Sequence, residues 1–263
     1  MEKREAAIQV KNVRKVYRMG DEEVVALNRI NLTIYKGEIC CIFGTSGSGK
    51  STLLNQLAGM EKPTRGEVLI GGVPISRLSE TQLTNFRQRH LGFVFQSYDL
   101  LPNLTATENV ALPLMFRGVP KPQREQAARE LLARVGLSHR LNHFPSQMSG
   151  GQQQRVGIAR AFISRPDIVF ADEPTGNLDS KATFQVMDMI CSFARDFHQT
   201  VILVSHDPEM ASYAHHIVTL LDGGIIREQH MEKERGLYES NTISGPVLFV
   251  EPFRRLHYRN AGN

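Results

Sequence analysis

Nine consecutive residues, Gly44 to Thr52, have the types and spacing of a loop that binds phosphate groups. Gly44, Gly49, Lys50 and Ser51 occupy the fixed positions of the pattern G-x-x-x-x-G-K-[S/T]. In such a loop, backbone N–H groups and the start of a helix converge on one spot and stabilise negative charge. We expect Lys50 to reach the β- and γ-phosphates of a nucleotide and the Ser51 hydroxyl to ligate Mg²⁺. The alternative is a glycine-rich surface loop that matches the pattern by chance.

Two adjacent carboxylates, Asp172 and Glu173, follow the apolar run 167–171. Neighbouring negative charges destabilise each other unless a cation lies close by, so Asp172 is a candidate ligand of Mg²⁺. Glu173 would then be free to orient or deprotonate a water molecule. The alternative is a solvated acidic turn.

Gln96 directly follows the apolar run 91–95, and His206 lies just beyond the apolar run 200–204, after Ser205. Ligands of open α/β sheets gather where the strands end. Gln96 is therefore placed to contact a metal ion or a water, and His206 to contact the γ-phosphate. Taken alone, Gln96 is more simply explained as an ordinary loop glutamine, and His206 as a structural histidine.

The run Ser149, Gly150, Gly151 and Gln152 precedes a helical pattern. Ser149 can cap the helix, and the two glycines leave backbone N–H groups accessible at its start. The run therefore predicts a second anion-binding helix N-terminus in the same chain. The alternative is a flexible Gly-Gly hinge.

Strand and helix patterns alternate around these candidates, which indicates an α/β fold. The predicted buried strands are 38–43, 91–95, 167–171 and 200–204. After the phosphate loop, a helix is predicted over 51–58. Near the N-terminus, alternation over 8–35 with a turn at Gly20 predicts antiparallel strands. Tyr17 lies in this part, where its ring could stack on an adenine or be an ordinary strand residue.

Strand patterns are absent from 97 to about 147, where helix signals take their place. Thr105 to Glu108 form a capping box, and an amphipathic pattern beginning at Pro122 ends near Gly136. Further along, Ser180 is predicted to cap a helix. The stretch from 97 predicts an all-helical insert of roughly fifty residues.

Composition sets further limits on function. The net charge of +4 is spread over 263 residues. The sequence has no concentrated basic patch, which is the usual sign of a nucleic-acid partner, so we expect none. No apolar run approaches the roughly 18 residues that cross a bilayer, and the start lacks a secretion signal, so we expect a cytosolic chain. The cysteines, and the histidines at 206, 215 and 216, lack recognised metal spacing, so we infer no transition-metal site. The cysteines are Cys40, Cys41 and Cys191.

Together, the phosphate loop, Gln96, the 148–152 run, Asp172-Glu173, Asp179 and His206 resemble an ABC-type ATPase subunit in order and spacing. The 149–152 run is the specific part. Met148 departs from the family pattern, which usually has leucine there. Residues 93–97, 100–110 and 152–156 are more narrowly similar to ATPases of lipoprotein-releasing and macrolide-export transporters.

This resemblance implies a RecA-like P-loop core with an N-terminal antiparallel β subdomain. It implies an ATPase domain over 1–233, with a helical subdomain at about 97–160, and an extension over 234–263. ATP would lie between two copies arranged head to tail, and each copy would dock on a separate membrane subunit at the inner face of the membrane. Mg²⁺ would be held by Ser51, Gln96 and Asp172.

The resemblance also assigns roles to individual residues. Glu173 would be the base, His206 and Gln96 would sense the γ-phosphate and the metal, and Asp179 would bridge the two copies. The helical insert and the loop 96–104 would contact the membrane subunit. Residues implied to contact ATP are Tyr17, Gly44, Ser46, Gly47, Ser48, Gly49, Lys50, Ser51, Thr52, Ser149, Gly150, Gly151, Gln152 and Asp179.

The implied function is ATP hydrolysis that powers export or extraction of peptide, antibiotic or lipoprotein. One alternative stays open, an ATPase that transmits force across a membrane to a cell-wall enzyme or sensor kinase. A family member that acts on nucleic acid is disfavoured by the one phosphate loop and the lack of a heptad insert. A pure binding module is disfavoured because Lys50, Asp172, Glu173 and His206 are all present. The basic-aromatic stretch 253–259 could contact lipid headgroups or form a loosely packed tail.

Overall fold

The computed structural model of the chain describes residues 4–231, apart from the side chain of Met19. The strands are β1 (Ala6–Met19), β2 (Glu22–Tyr35), β3 (Ile39–Phe43), β4 (Arg65–Ile70), β5 (Val73–Pro74), β6 (Leu91–Phe95), β7 (Ile168–Asp172), β8 (Thr200–Ser205), β9 (His216–Leu221) and β10 (Gly224–His230). The helices are α1 (Lys50–Leu57), α2 (Glu80–His90), α3 (Ala106–Phe116), α4 (Lys121–Arg134), α5 (Gly150–Phe162), α6 (Ser180–Asp196) and α7 (Pro208–Ala211).

The central sheet has six strands in the order β10-β9-β3-β8-β7-β6. The neighbours from β9 to β6 pair in parallel, whereas β10 pairs antiparallel with β9. Parallel strands covered on both faces need apolar side chains on both, which explains the unbroken apolar runs in the sequence. The register places Phe95, Asp172 and Val204 side by side. The residues that follow these three strands therefore lie at the same edge of the sheet.

Two apolar clusters cover opposite faces of this sheet. Ile39 and Cys41 belong to one cluster, with apolar residues of α5 and α6, while Cys40 and Ile42 belong to the other, with α1 and the N-terminal strands. Adjacent strand residues point to opposite faces, so this split follows from the period of two. Cys40, Cys41 and Cys191 are all buried.

The N-terminal sheet is antiparallel and has the strand order β2-β1-β4-β5. β1 and β2 pair along most of their length and reverse at Gly20 and Asp21, where the turn was predicted. Their inner faces pack against Leu53 and Leu57 of α1. The short strand β5 was not predicted, because two residues after Gly71-Gly72 carry too little pattern.

Helices α3, α4 and α5 form the helical part predicted after residue 97. The Thr105 hydroxyl accepts the Glu108 N–H, and the Glu108 carboxylate accepts the Thr105 N–H, which is the predicted capping box. The fully buried Asn109 accepts from the Leu101 N–H and donates to the Leu104 carbonyl. These bonds satisfy backbone groups of the loop before α3 and hold that loop in place.

The prediction that Ser180 caps a helix is wrong by one residue. Asp179 is the N-cap of α6, and its carboxylate accepts the Ala182 N–H at 2.8 Å. Asp and Ser are both good N-caps, and the carboxylate adds charge stabilisation at the positive end of the helix. Similarly, α4 begins at Lys121, so Pro122 is its second residue and does not open it.

Within residues 4–231, no helix combines the length and the apolar character needed to cross a bilayer. The predicted extension over 234–263, with its basic-aromatic stretch, lies outside the described residues.

Candidate active site

The glycine-rich loop lies between β3 and α1, as the sequence predicts. A Cβ atom on Gly44 would lie 2.5 Å from the Leu220 carbonyl oxygen of β9, so only glycine fits beneath the loop. Gly49 has φ of +102°, a conformation that side chains disfavour, and it leads directly into α1. Both glycines therefore shape the turn that points backbone N–H groups at one spot.

Lys50 lies inside this loop and does not extend into solvent. Its side chain is buried, and Nζ donates to the Thr45 carbonyl at 2.8 Å. The Ser48 hydroxyl oxygen is also buried and has no hydrogen-bond partner among the described residues. A cation beside an unpaired hydroxyl and free helix N–H groups fits a bound polyphosphate chain.

Asp172 ends β7 close to Lys50. Its pKa is raised, because burial disfavours the carboxylate and Glu173 repels it, while Lys50 acts in the opposite direction. A Mg²⁺ ion would be a second positive charge, besides Lys50, that favours the Asp172 carboxylate. The donor set of Asp172 and Ser51, two oxygen groups, is of the kind that Mg²⁺ prefers.

Glu173 and His206 are in direct contact. Glu173 Oε1 and His206 Nδ1 are 3.0 Å apart, and the Glu173 N–H donates to the Val204 carbonyl at 3.0 Å. Glu173 has φ of +42°, an uncommon conformation for a glutamate, which is held here by the loop around it. The structure thus brings together two residues that the sequence separates by 33 positions.

Gln96 follows β6 and is attached to the loop after β7. Its carbonyl accepts from Asn177 Nδ2 at 3.1 Å, and its amide packs so closely on Gly176 that a Cβ there would lie 2.6 Å from Nε2. Gln96 and the loop that leads from Glu173 to Asp179 are therefore joined.

Tyr17 lies beside the start of α1. Its hydroxyl donates to Glu61 Oε2 at 2.8 Å, and Lys15 Nζ is 5.0 Å from the centre of its ring. Its pKa is raised by burial and by Glu61, and a hydrogen bond with the Thr52 side chain acts in the opposite direction. The contact with Thr52 places the Tyr17 ring next to the phosphate loop.

The 149–152 run forms the N-terminus of α5. Ser149 caps the helix: its hydroxyl accepts the Gln152 N–H, and Gln152 Oε1 accepts the Ser149 N–H. A Cβ on Gly151 would meet nothing within 4 Å, so the space above the helix start is open. Ser149 and Asp179 line one cleft of about 470 Å³, which also contains His139.

Three residues that support the site were missed from the sequence. The Tyr98 hydroxyl lies so close to Gly150 that a Cβ there would be 2.7 Å away. Arg160 donates to the carbonyls of Tyr98 and Asp99, at 2.9 and 2.5 Å. Gln154 is fully buried and donates to the Pro174 carbonyl at 2.5 Å. None belongs to a spacing pattern, and only the polar Gln154 at a buried position of an amphipathic helix offered a signal.

The described chain thus gathers the candidates into two groups. Lys50, Ser51, Asp172, Glu173 and His206 lie on or next to the carboxyl ends of β3, β7 and β8, whereas Ser149 and Asp179 line the cleft at the start of α5. A parallel sheet with a glycine-rich loop, a buried lysine and carboxylates on a further strand defines the class of P-loop nucleotide hydrolases.

A family model described as ABC transporter matches residues 27–176, and the chain belongs to this family. The match confirms the predicted ABC-type ATPase, with its P-loop core, N-terminal antiparallel part and helical insert.

Two relatives are similar in sequence to this chain over most of its length. It is 49% identical over 219 residues to an uncharacterized ABC transporter ATP-binding protein of Methanocaldococcus jannaschii, covering 83% of this chain and 97% of that protein. It is 48% identical over 254 residues to the macrolide export ATP-binding/permease protein MacB of Pasteurella multocida, covering 95% of this chain. The chain spans 39% of the length of that MacB protein.

Solved structures are similar in fold. The dimeric structure of a post-hydrolysis state of the ATP-binding cassette MJ0796 bound to ADP and Pi has a TM-score of 0.80 and 42% identity, covering 86% of this chain and all of that chain. CbiO1 of Clostridium perfringens, part of the transporter complex CbiONQ, has a TM-score of 0.77 and 26% identity, covering 86% of this chain and 89% of that chain.

The raised pKa of Asp172 leads to a prediction for stability. Burial and Glu173 disfavour its carboxylate in the folded state, so Asp172→Asn should raise the free energy of unfolding without Mg²⁺ or nucleotide. The gain should be largest where the carboxylate is ionised in both states, and it should shrink as the pH falls through the folded pKa. Thermal melts from pH 7 to pH 4 in EDTA measure it.

The exposed Asp188→Asn on α6 is the matched control. A melting temperature of Asp172→Asn at pH 7 that does not exceed those of the wild type and this control would contradict the charge conflict. So would a gain that grows as the pH falls.

Proposed function

We propose that this chain is the ATP-hydrolysing subunit of a transporter and powers a separate membrane subunit that exports or extracts peptide, antibiotic or lipoprotein. The observation that carries the proposal is the contact of Glu173 with His206 beside Asp172 and Lys50. This arrangement offers a base, a γ-phosphate contact, a metal ligand and a phosphate ligand at one edge of the sheet.

Binding of the triphosphate is assigned to the loop and α1. The buried Lys50 ammonium, the backbone N–H groups of Gly47 to Thr52 and the unpaired Ser48 hydroxyl would hold the phosphate oxygens. Tyr17, which contacts Thr52, would stack on the adenine. Ser51, Gln96 and Asp172 would hold Mg²⁺, which when bound neutralises charge on the β- and γ-phosphates.

Glu173 would orient and deprotonate the attacking water. Its contact with His206 Nδ1 fixes the imidazole beside it, and His206 is placed to contact the γ-phosphate. A hydrogen-bonded acid–base pair that is held before the substrate arrives reduces the reorganisation needed for reaction.

Two copies would complete the site in a head-to-tail arrangement. The open start of α5 presents the N–H groups of Gly150 and Gly151, which have no partner within their own helix. In the dimer, Ser149, Gly150, Gly151 and Gln152 of one copy would bind the γ-phosphate held by the other, and Asp179 would bridge the two. The MJ0796 cassette bound to ADP and Pi is dimeric, which supports the association of two copies.

A membrane subunit would dock on the helical part and on the loop before α3. Leu101, Met115 and Phe116 expose 49%, 42% and 62% of their surface there. Exposed large apolar side chains, where they form a contiguous patch, mark interaction surfaces, and we propose that these three belong to one. The name of MacB, a macrolide export ATP-binding/permease protein, supports an export role that involves a permease. We place this chain at the inner face of the membrane, bound to its membrane subunit.

We predict that Glu173→Gln lowers ATP turnover at least about 100-fold, because the side chain keeps its size but no longer accepts a proton. ATP binding should persist, and the protein should accumulate as a dimer in ATP. Phosphate release, nucleotide binding and size-exclusion chromatography measure the three outcomes. The exposed Glu130→Gln on α4 is the matched control, and wild-type turnover in Glu173→Gln would refute the assigned base.

A mixing experiment tests the shared site. Lys50→Ala and Ser149→Arg chains should each be inactive, whereas a mixture should recover up to about one quarter of the wild-type activity, since mixed dimers contain one intact composite site. ATP-dependent dimer formation by the mixture should be measured in parallel. Mixed dimers that bind ATP without turnover would mean that the sites are shared but must both be intact. Mixed dimers that neither bind ATP nor hydrolyse it would argue against shared sites.

Docking on the helical part predicts the effect of Phe116→Ser. Removal of this exposed ring should reduce co-purification with the membrane subunit at least tenfold and leave the turnover of the isolated chain unchanged. Ile226→Ser on β10, equally exposed at 62%, is the control. Crosslinking in cell membranes followed by pull-down measures association. Equal recovery of both variants would place the membrane contact elsewhere.

A further inference from the structure

The hairpin of β9 and β10 places two histidines and a glutamate together, away from the proposed nucleotide contacts. His216 on β9 pairs directly with His230 on β10. Glu228 precedes His230 by two residues, so both side chains lie on the same face of β10. A directly opposed pair brings its side chains within contact distance, and Glu228 is their neighbour on that face.

The potential ligand atoms are already close. His216 Nε2 is 2.9 Å from Glu228 Oε1, and His230 Nε2 is 3.8 Å from the same oxygen. The two imidazole rings are stacked, with centres 4.1 Å apart and planes at 26°. Around a tetrahedral Zn²⁺ with bonds of about 2.0–2.1 Å, ligand atoms are separated by about 3.3 Å. The two nitrogen-to-oxygen distances lie on either side of that value, and all three ligand atoms lie within 4.8 Å of one another. Binding of an ion would require the stacked rings to rotate so that both nitrogen lone pairs face it.

A carboxylate stands behind the buried histidine. His216 is fully buried, and its Nδ1 has no hydrogen-bond partner among residues 4–231. Glu38 Oε2 is 3.7 Å from this nitrogen, and the Glu38 carboxylate is held by the Tyr35 N–H at 3.0 Å and by Arg4 Nη1 at 3.2 Å. Histidines that bind metal through one ring nitrogen commonly direct the other N–H at such a carboxylate.

We propose that His216 Nε2, Glu228 Oε1 and His230 Nε2 form a Zn²⁺ site, with Glu38 orienting His216 and the fourth position open to water. Two imidazoles and one carboxylate suit Zn²⁺, whereas Mg²⁺ prefers oxygen ligands only. The site uses none of the residues assigned to ATP, and it goes beyond the proposed function. Helical spacing did not reveal it, since its ligands meet across two strands.

The alternative is that His216 binds a proton and the cluster holds no metal ion. A protonated His216 between Glu38 and Glu228 would form a buried ionic network without a metal. The two interpretations differ in one measurable respect, which is the affinity of the chain for Zn²⁺ and its dependence on the partly exposed His230.

Zn²⁺ binding to the full chain, stripped with EDTA and free of nucleotide, can be measured by competition with a chromophoric zinc chelator. We expect one equivalent of Zn²⁺ per chain for the wild type, and millimolar Mg²⁺ should not displace it. His230→Ala and Glu228→Gln should each weaken binding at least tenfold, and Glu38→Gln should weaken it about 10- to 100-fold. Zn²⁺ should also raise the melting temperature of the wild type but not of His230→Ala.

The exposed His198→Asn serves as the control, since asparagine tolerates the positive φ of that position. It should bind Zn²⁺ as the wild type does, and so should Glu173→Gln, whatever its turnover. Equal affinities of the wild type, His230→Ala and Glu228→Gln would overturn the site and favour the protonated network. A melt of His230→Ala in EDTA that matches the wild type shows that the variant is folded.

Discussion

The interaction between Lys50 and the Asp172–Glu173 pair governs the chemistry of this fold. Lys50 favours the Asp172 carboxylate, but burial and Glu173 disfavour it more strongly, so the pKa of Asp172 is raised. Without a nucleotide, the lysine donates to its own loop through the Thr45 carbonyl. The site therefore carries a cost in the free protein that a polyphosphate and a divalent cation can relieve, which links ligand binding to stability.

The central sheet makes this balance possible because it fixes where each strand ends. Parallel pairing sets Phe95, Asp172 and Val204 in one row. The chain then leaves three neighbouring strands at one edge, so Gln96, Glu173 and His206 follow that row. Both faces of the sheet are covered by apolar clusters, and a slip of the register by one residue would reverse every side chain. The core thus determines the spacing of polar groups at its rim.

Sequence patterns predicted what depends on local periodicity and on one strand or helix at a time. The ends of β3 and β6, and the caps at Thr105 and Ser149, are of this kind, and the ends of β7 and β8 were predicted one residue too early. Contacts between distant elements were not predictable in this way. The cap at Asp179 was missed because two adjacent residues can both cap a helix, and only the backbone conformation decides between them. The opposition of His216 and His230 depends on the register of a hairpin.

The contacts around the loop after β6 bear on how the two groups of site residues can act together. Asn177 binds the Gln96 carbonyl, Arg160 of α5 binds the carbonyls of Tyr98 and Asp99, and Gln154 of α5 binds the Pro174 carbonyl. Helix α5 is therefore bonded both to the loop after β6 and to the loop after β7. A displacement of the loop at Tyr98 or of Pro174 must either carry α5 with it or break these hydrogen bonds. Breaking the bond of the buried Gln154 would alone cost about 1–3 kcal/mol. Moving as one unit is the less costly response. In the proposed head-to-tail dimer, the start of α5 would face the other copy, so a change at one γ-phosphate would reach the second site through these bonds.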